Sequence, residues 1–407
     1  MSESLTAIDA ESAPKPSLPS WQVQICAIFA LAVWAHSLLW WTEPRDMSLF
    51  QRPWFEHIVR YGPLGAFAHP FSNYTPAYLY LLAIASLFQS TMEPMYIIKL
   101  LSVGGTAFAA FAVADLVRAC GGRAKYAALL FILPSVVINA ALLAQCDALW
   151  SGACVFAVAA MIRGKTVPSL VWCGVAIAFK AQAVFVAPFI VGALIGRRAP
   201  WWQWTVPLLV FVAIMMPAWL AGWPAWQLAM IYPSQPSWIP FPGRLANPWM
   251  FATEFAADAS QKFYWVGFAT AAGCSIAVAA LTSTSVKRPM AMLLLALLSS
   301  LALPFFLPKM LERYFFLADL LSIGLAISYS SRATIFVAVA VQLASFLSLL
   351  TYMYFYAHPY PTFVGALLAT AALIATCLLA WRNGVRWPDL KWRAALPRPA
   401  SDGRTTA

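Results

Sequence analysis

The feature that most constrains this chain is the length of its apolar runs. Of its 407 residues, 62% are hydrophobic and only 10% are charged. The apolar runs reach or approach the roughly 20 residues that a helix needs to cross a bilayer. No internal repeat and no soluble domain is visible between them. The sequence therefore predicts an all-α, polytopic transmembrane protein.

The positive charge of the chain indicates its orientation in the membrane. The formal net charge is +11, but Lys and Arg are spread over short loops and the C-terminal tail, which argues against nucleic acid as a partner. Because cytoplasmic loops retain Lys and Arg, the basic loops mark the cytoplasmic side. The seven cysteines form no C-x-x-C pair. They are typical of small core residues, not of a disulfide framework or a metal site.

The short apolar segment 77–88 decides the predicted topology. If it crosses the membrane, the basic loops after it fall outside; if it lies along or dips into the outer face, they fall inside. The charge bias favours the second arrangement, which gives about twelve spans with both termini cytoplasmic. The predicted spans are 22–41, 95–117, 126–144, 148–162, 167–180, 182–196, 203–221, 263–284, 290–307, 314–330, 333–356 and 362–381.

This topology divides the chain into three regions. We expect a disordered cytoplasmic tail over 1–20, a single transmembrane domain over 21–381 and a basic cytoplasmic tail over 382–407. Two large loops, 42–94 and 222–262, then share the outer face. Several of the spans between them are short enough to need tilt or bilayer thinning.

The first outer loop contains a predicted amphipathic helix between Trp54 and Tyr61. Its apolar side chains share one face: Phe55, Ile58 and Val59. Charged and polar side chains occupy another face, which is typical of a helix that lies in the interface plane. We therefore expect interfacial or re-entrant helices in this loop.

Four short stretches bring the scarce polar groups to the outer face. They are Arg45-Asp46, Gln145-Cys146-Asp147, Lys180-Ala181-Gln182 and Lys309-Met310-Leu311-Glu312-Arg313-Tyr314. Ionisable groups beside hydrocarbon are costly, so such a cluster indicates a functional site. A carboxylate can take the proton from a hydroxyl while Lys and Arg neutralise a phosphate leaving group. That combination suits glycosyl transfer from a lipid phosphate, and the cations alone equally suit an anionic lipid head group.

Each stretch also has a structural explanation. Arg45 and Asp46 could form an interfacial ion pair, Asp147 could cap the helix that starts at Ala148, and Lys180 could extend from a helix end to the interface. The last stretch is denser than a usual interfacial anchor, which favours function there. The four histidines are scattered without ligand spacing and indicate packing residues.

At these same residues the sequence resembles the GT-C superfamily of membrane glycosyltransferases. Within it, the likeness is to bacterial relatives of the GPI-anchor mannosyltransferases and the ALG-type glucosyltransferases. The resembling segments occur in family order: Arg45-Asp46, Asn73-Tyr74-Thr75-Pro76-Ala77-Tyr78, Ala144-Gln145-Cys146-Asp147, Phe179-Lys180-Ala181-Gln182 and Met310-Leu311-Glu312-Arg313-Tyr314. Two positions depart from the family: Leu311 replaces a frequent His, and Ala144 replaces a Gly, which we interpret as a packing change.

The resemblance implies an inverting transferase that uses a polyprenyl-phosphate monosaccharide on the periplasmic or lumenal side. It implies that Asp46 is the catalytic base and that Lys180 and Arg313 bind the donor phosphate, to which we add Lys309. The expected substrate-binding residues are Arg45, Tyr74, Gln145, Asp147, Gln182, Glu312 and Tyr314. We interpret Asn73-Tyr74-Thr75 as a turn into the next helix and not as a glycosylation site, because Pro76 follows directly.

We therefore expect transfer of a mannose-like hexose or a pentose to a lipid-linked or cell-envelope glycan, in a bacterial inner membrane. No cofactor is expected; a divalent metal could bind but is not required, because a lone carboxylate holds Mg²⁺ or Mn²⁺ poorly. A transporter or lipid-linked-glycan flippase is the main alternative, although transporters usually carry internal repeats and a midplane site. A non-catalytic subunit that presents lipid to an enzyme is a third.

Overall fold

The computed structural model describes residues 20–234, 243–251, 260–353 and 360–388. Within these ranges all regular secondary structure is helical, and an isolated bridge joins Gly243 to Met310. All but the last residue of the predicted disordered tail over 1–20 lies outside the described residues, as does most of the predicted basic tail over 382–407. So do two parts of the second outer loop, 235–242 and 252–259.

Seven described helices are long and apolar enough to cross a membrane, so the chain is an integral membrane protein. They are Trp21–Trp40, Pro94–Ala119, Trp201–Ala221, Phe263–Ser283, Pro289–Phe306, Arg332–Met353 and Tyr360–Arg382. A bent pair, Ala124–Ile132 and Pro134–Leu142, would add an eighth span if its two halves, which meet at 61°, cross together. The bend occurs at Pro134, whose ring removes a backbone donor and keeps Leu133 extended.

Five shorter apolar helices account for the rest of the predicted spans and for the segment that decided the topology. They are Pro76–Phe88, Asp147–Ile162, Thr166–Phe179, Ala181–Gly196 and Phe316–Ser328. A helix of 16 residues, such as Asp147–Ile162, rises about 24 Å, less than the roughly 30 Å of a hydrocarbon core. Each would therefore need local thinning of the bilayer to cross, and the number of spans stays a prediction.

The helix Asp147–Ile162 lies at the centre of the protein. It packs against Pro94–Ala119, Thr166–Phe179 and Phe316–Ser328, and nearly all of its side chains are buried. Gly152 permits one of these contacts, because a Cβ atom there would come within 2.8 Å of the Phe108 ring. Small residues allow such close helix packing in membranes. The helix is thereby held with its first residue, Asp147, at one end of the bundle.

The predicted amphipathic helix of the first outer loop is confirmed between Arg52 and Tyr61, with one correction. Phe55 and Ile58 are fully buried, but Val59 is exposed. Trp54 takes its place in the buried stripe. Residues i, i+1 and i+4 share a face at 3.6 residues per turn, so Trp54, Phe55 and Ile58 form the buried stripe.

Candidate active site

The predicted polar stretches meet in one cavity of about 270 Å³. It lies among the loop after the first helix, the turn before Pro76, the start of Asp147–Ile162, the end of Thr166–Phe179 and the turn before Phe316–Ser328. Most of the predicted site residues line it: Asp46, Tyr74, Gln145, Lys180, Gln182, Glu312, Arg313 and Tyr314. Asp147 is buried directly behind Lys180, whereas Arg45 and Lys309 lie elsewhere.

Asp46 receives hydrogen bonds from two residues that are distant in sequence. Arg313 Nη1 lies 3.0 Å from its Oδ2 atom, and the Tyr352 hydroxyl donates to Oδ1 over 3.1 Å. Burial alone would raise the pKa of the Asp46 carboxyl, but the charge and hydrogen bond of Arg313, with the Tyr352 hydrogen bond, hold it below its ordinary value. The side chain is 24% exposed. Asp46 is therefore an ionised carboxylate that a hydroxyl in the cavity can reach.

Asp147 is the anionic centre behind the cavity. Its Oδ1 accepts hydrogen bonds from Lys180 Nζ at 2.6 Å and Trp150 Nε1 at 2.9 Å, and its Oδ2 accepts one from Asn139 at 2.9 Å. Arg313 Nε lies 3.7 Å from Oδ2. Buried charges are tolerated only when they are paired and hydrogen-bonded, and these contacts meet that condition. Asp147 therefore contacts two of the three predicted phosphate-binding cations, Lys180 and Arg313.

Two structural explanations considered from the sequence are wrong. Asp147 does not cap its helix: the helix begins at Asp147 itself, after Cys146, and the carboxylate bonds side chains, not backbone N–H groups. Lys180 does not extend to the interface, because its ammonium group is buried against Asp147. A buried partner of opposite charge replaces the solvent that the lysine would otherwise seek.

Glu312 lines the cavity and has one carboxylate oxygen without a hydrogen-bond partner among the described residues. Its Oε1 atom lies 3.6 Å from Arg313 Nη1, and its Oε2 atom is buried without a hydrogen-bond partner among the described residues. Burial raises the pKa of the Glu312 carboxyl above its ordinary value, although the charge of Arg313 opposes this. Buried polar atoms are nearly always satisfied, so the unpartnered Oε2 atom marks Glu312 as a candidate functional residue.

Two predicted binding residues do not reach the cavity. The Arg45 side chain is exposed, and the partner of Asp46 is Arg313 and not Arg45. Lys309 Nζ lies over the Tyr264 ring, 5.6 Å from its centroid. For Lys309 the reason is the local backbone geometry. Lys309 has a φ of 60° at the edge of an irregular turn, so it does not share a helical face with Glu312 and Arg313.

The turn before Pro76 attaches Tyr74 to the Lys180 segment. The Thr75 hydroxyl donates to the backbone oxygens of Ala178 at 2.6 Å and Phe179 at 3.1 Å. Tyr74 donates to Gln145 Oε1 over 3.2 Å, and Lys180 Nζ lies 5.3 Å from its ring centroid. The predicted turn into the next helix is confirmed, since that helix begins at Pro76.

Ala144 occupies a backbone position that explains the glycine of the resembling family. Its φ is 50°, in the left-handed region that glycine adopts most readily. Gln51 Nε2 donates to the Ala144 carbonyl at 2.9 Å, and the Ser102 hydroxyl donates to the Gln145 carbonyl at 2.8 Å. The departure at this position is therefore a matter of backbone conformation, and our interpretation as a packing change is wrong.

Lys99 fixes the end of the first helix, a few residues before Asp46. It is fully buried, and its Nζ donates to three backbone oxygens, those of Leu39 at 3.0 Å, Trp40 at 2.6 Å and Thr42 at 2.7 Å. The last carbonyl groups of a helix lack intrahelical partners, and a lysine satisfies them well. Nothing in the sequence distinguished Lys99 from an ordinary membrane-edge lysine.

Arg244 and Tyr352 also line the cavity, and the sequence analysis missed both. Arg244 is the lone basic residue between 222 and 251, a signal that could have found it. Tyr352 lies near the end of Arg332–Met353 and carried no such signal. Other lining residues that were not predicted as site residues are Phe50, Gln51, Trp54, Asn73, Ser234 and Leu311.

The described residues contain no group of three or more His, Cys, Asp or Glu side chains that could hold a metal ion. The three carboxylates of the site face cations instead: Asp46 and Glu312 face Arg313, and Asp147 faces Lys180 and Arg313. That no metal is required stays a prediction.

Residues 60–196 match the model of the MptA/B family, described as alpha-(1->6)-mannopyranosyltransferase, N-terminal domain. This range contains Tyr74, Gln145, Asp147, Lys180 and Gln182. The predicted resemblance to mannosyltransferases is confirmed over this range. The match supports glycosyl transfer as the activity, although it covers less than half of the chain and ends before Glu312 and Arg313.

No curated protein matches the chain in sequence. Among solved structures, ArnT from Cupriavidus metallidurans, bound to undecaprenyl phosphate, is similar with a TM-score of 0.48 and 12% identity. The similarity covers 90% of this chain and 78% of that one. At this TM-score the likeness assigns no role to any residue.

Proposed function

We propose that this protein is an inverting glycosyltransferase that moves a mannose-like hexose or a pentose from polyprenyl phosphate to a hydroxyl of a lipid-linked or cell-envelope glycan. One observation carries the proposal: a partly exposed, ionised Asp46 lines the same cavity as the cations Lys180 and Arg313. A base and a phosphate-neutralising pair are what this single displacement requires. The match to a mannopyranosyltransferase model supports the sugar class.

The reaction assigns a role to each end of the cavity. Asp46 takes the proton of the acceptor hydroxyl while that oxygen attacks the anomeric carbon. The bond between this carbon and the phosphate oxygen breaks, and its electron pair leaves with the phosphate, which Lys180 and Arg313 neutralise. Attack from the side opposite the leaving group inverts the anomeric configuration.

The contact between Arg313 and Asp46 couples donor binding to the base. Arg313 now holds the pKa of Asp46 below its ordinary value, which makes Asp46 a weak base. A phosphate in the cavity competes for the same guanidinium and releases part of that hold. Asp46 then becomes more basic when a donor is bound, which limits proton abstraction to the loaded site.

The sugar hydroxyls are proposed to meet the polar side of the cavity. Glu312 Oε2 offers a buried acceptor, and Gln145, Gln182 and Tyr314 line the same space. Asp147 is a positioning residue in this scheme, because its carboxylate is already engaged by Lys180, Trp150 and Asn139. This differs from the expectation that it binds substrate directly.

We extend the proposal to topology: about twelve spans, both termini cytoplasmic, and a cavity that faces the periplasm from the inner membrane. The basic loops support this, because their arginines bond neighbouring segments at one end of the bundle. Arg163 pairs with Asp115 at 2.7 Å, and Arg197 donates to the carbonyls of Met161 at 2.7 Å and Val286 at 3.4 Å. Asp147 and Arg163 lie at opposite ends of one helix, so the cavity is opposite the basic loops. A cavity at one face favours a transferase over a transporter.

The remaining parts of the proposal concern domain organisation and partners. The chain from 21 to 381 acts as a single transmembrane domain, and the site works without a cofactor or a required metal. Its partners are the lipid-linked donor, the glycan or glycolipid acceptor and the surrounding lipids. Apolar grooves beside Pro76–Phe88, one of about 300 Å³, are consistent with a long lipid chain near the site.

Purified protein supplied with radiolabelled polyprenyl-phosphate sugars and an envelope glycolipid fraction tests the activity. Asp46→Asn is expected to lower the transfer rate by about 10²–10⁴-fold, because a general base contributes that much. Asp115→Asn is the matched control: it also removes a paired carboxylate, but at the basic end of the bundle. Equal transfer by Asp46→Asn and wild type would exclude Asp46 as the base.

A further inference from the structure

The two predicted phosphate-binding cations that line the cavity, Lys180 and Arg313, are already neutralised. Lys180 lies 2.6 Å from Asp147, and Arg313 lies 3.0 Å from Asp46 and 3.6 Å from Glu312. Three acids therefore face two bases, and these five groups carry a net negative charge when all are ionised. A phosphate adds further negative charge, so Lys180 and Arg313 alone leave the occupied site with an excess of anions.

Arg244 is the further cation that lines the cavity among the described residues. It belongs to the second outer loop, far in sequence from the other site residues, and its side chain is partly exposed. With Arg244 included, the acids and bases of the cavity balance before a ligand enters. Its charge also acts on Glu312, because it opposes the rise in the pKa of that carboxyl.

A tightly packed segment presents Arg244 to the cavity. The backbone N–H groups of Arg244 and Leu245 both donate to the Met310 carbonyl, at 2.7 and 3.1 Å. The N–H of Ala246 donates to the Ser348 hydroxyl at 3.0 Å. Gly243 makes the approach possible: its φ is 99°, and a Cβ atom there would lie 2.5 Å from the Met310 oxygen. The segment is thus attached both to the Arg313 turn and to the helix of Tyr352.

We propose that Arg244 is a phosphate-binding residue that contacts the phosphate of a lipid-phosphate ligand directly, through its planar guanidinium group. Arginine suits this role because its donors match two phosphate oxygens at once. The phosphate then weakens the ion pairs of Lys180 with Asp147 and of Arg313 with Asp46, and the two cations complete the site. The proposal rests on the proposed function only for the statement that the phosphate belongs to the donor; an acceptor lipid could supply the same chemical group.

Binding of farnesyl phosphate and of farnesol to the full chain in detergent tests the proposal without any need for catalysis. Wild type is expected to bind the phosphate more tightly than the alcohol. Arg244→Gln should weaken phosphate binding by about 10- to 100-fold, since hydrogen bonds between charged groups are worth about 1.5–3 kcal/mol, and leave farnesol binding unchanged. Unchanged phosphate binding by Arg244→Gln would overturn the proposal.

Arg60→Gln is the matched control, because Arg60 is an exposed arginine of the first outer loop that does not line the cavity. Arg244→Lys keeps the charge but loses the planar group, so it should recover only part of the affinity; full recovery would exclude a two-oxygen contact. Gly243→Ala keeps Arg244 but displaces it, and it should weaken phosphate binding as well, whereas wild-type affinity would contradict the role of the segment.

Steady-state kinetics distinguish the two sources of the phosphate. If the phosphate belongs to the donor, Arg244→Gln raises KM for the polyprenyl-phosphate sugar and leaves KM for the acceptor unchanged; the reverse pattern assigns it to the acceptor. Loss of farnesyl phosphate binding in a protein that transfers no sugar would support the phosphate site and refute the proposed function. Normal phosphate binding by Arg244→Gln together with sugar transfer would refute the phosphate site and support the proposed function.

Discussion

The cavity has two sides that differ in how their charges are held. One side, here called the floor, consists of Tyr74, Gln145, Asp147 and Lys180, which all fall within the range of the family match. The other side, here called the wall, consists of Asp46, Arg244, Glu312, Arg313 and Tyr352, which all fall outside it. The contacts of the floor join residues 33 and 71 positions apart, whereas those of the wall join residues 267 and 306 positions apart.

The difference between the two sides lies in how far their polar groups are satisfied. On the floor, Asp147 has three side-chain donors within 2.9 Å and is fully enclosed. On the wall, Asp46 is partly exposed and Glu312 keeps an unsatisfied oxygen. A saturated network holds its geometry, while unsatisfied groups can exchange partners with a ligand. The floor therefore fixes the position of Lys180, whereas the wall is the side that can rearrange around a ligand.

The largest expected effect is on the stability of the protein when the ion pair of the floor is broken. Asp147→Leu leaves Lys180 buried without its partner and should destabilise the protein by about 3–5 kcal/mol. The double variant Asp147→Leu, Lys180→Met removes both charges and should recover most of that loss without recovering transfer. Thermal unfolding in detergent measures both. A double variant as unstable as the single one would mean that the floor is not held by this ion pair.

A smaller effect is expected where the wall is attached to the first helix. Lys99→Met removes the three hydrogen bonds that fix the end of that helix, so Asp46 should shift and kcat should fall by about 10- to 100-fold, with little change in KM. Arg52→Gln is the control: it breaks exposed ion pairs to Glu43 and Glu93 in the same loop and should cost at most about 1 kcal/mol of stability. Equal kinetic effects of the two would contradict a positioning role for Lys99.

The smallest effect concerns the charge state of Asp46. Tyr352 donates to this carboxylate and helps to hold its pKa below the ordinary value, so Tyr352→Phe should raise that pKa. The base must be ionised to act, and the acid limb of the pH–rate profile should therefore move to higher pH, by about one unit or less for one hydrogen bond. A shift to lower pH, or none, would show that Tyr352 does not act on Asp46.

The sequence was most informative about the floor and about Asp46 and Arg313. Their chemical types stand out because charges are scarce beside long apolar runs, and the cost of placing such groups there applies wherever the chain folds. The sequence was less informative about the directions in which side chains point. Arg45 directly precedes Asp46, but its side chain is exposed. Lys309 lies in an irregular turn with a positive φ and does not line the cavity.

By itself, then, the sequence determined that the chain is a helical membrane protein with an ionisable site at the ends of its apolar segments. Only the tertiary structure decided which charges meet: Asp46 with Arg313 and Tyr352, Lys180 with Asp147, and Arg244 beside them. The physical reason is that desolvation cost depends on residue type and local context, and can be inferred from composition. Ion pairing depends on distances set by helices that pack far apart in sequence.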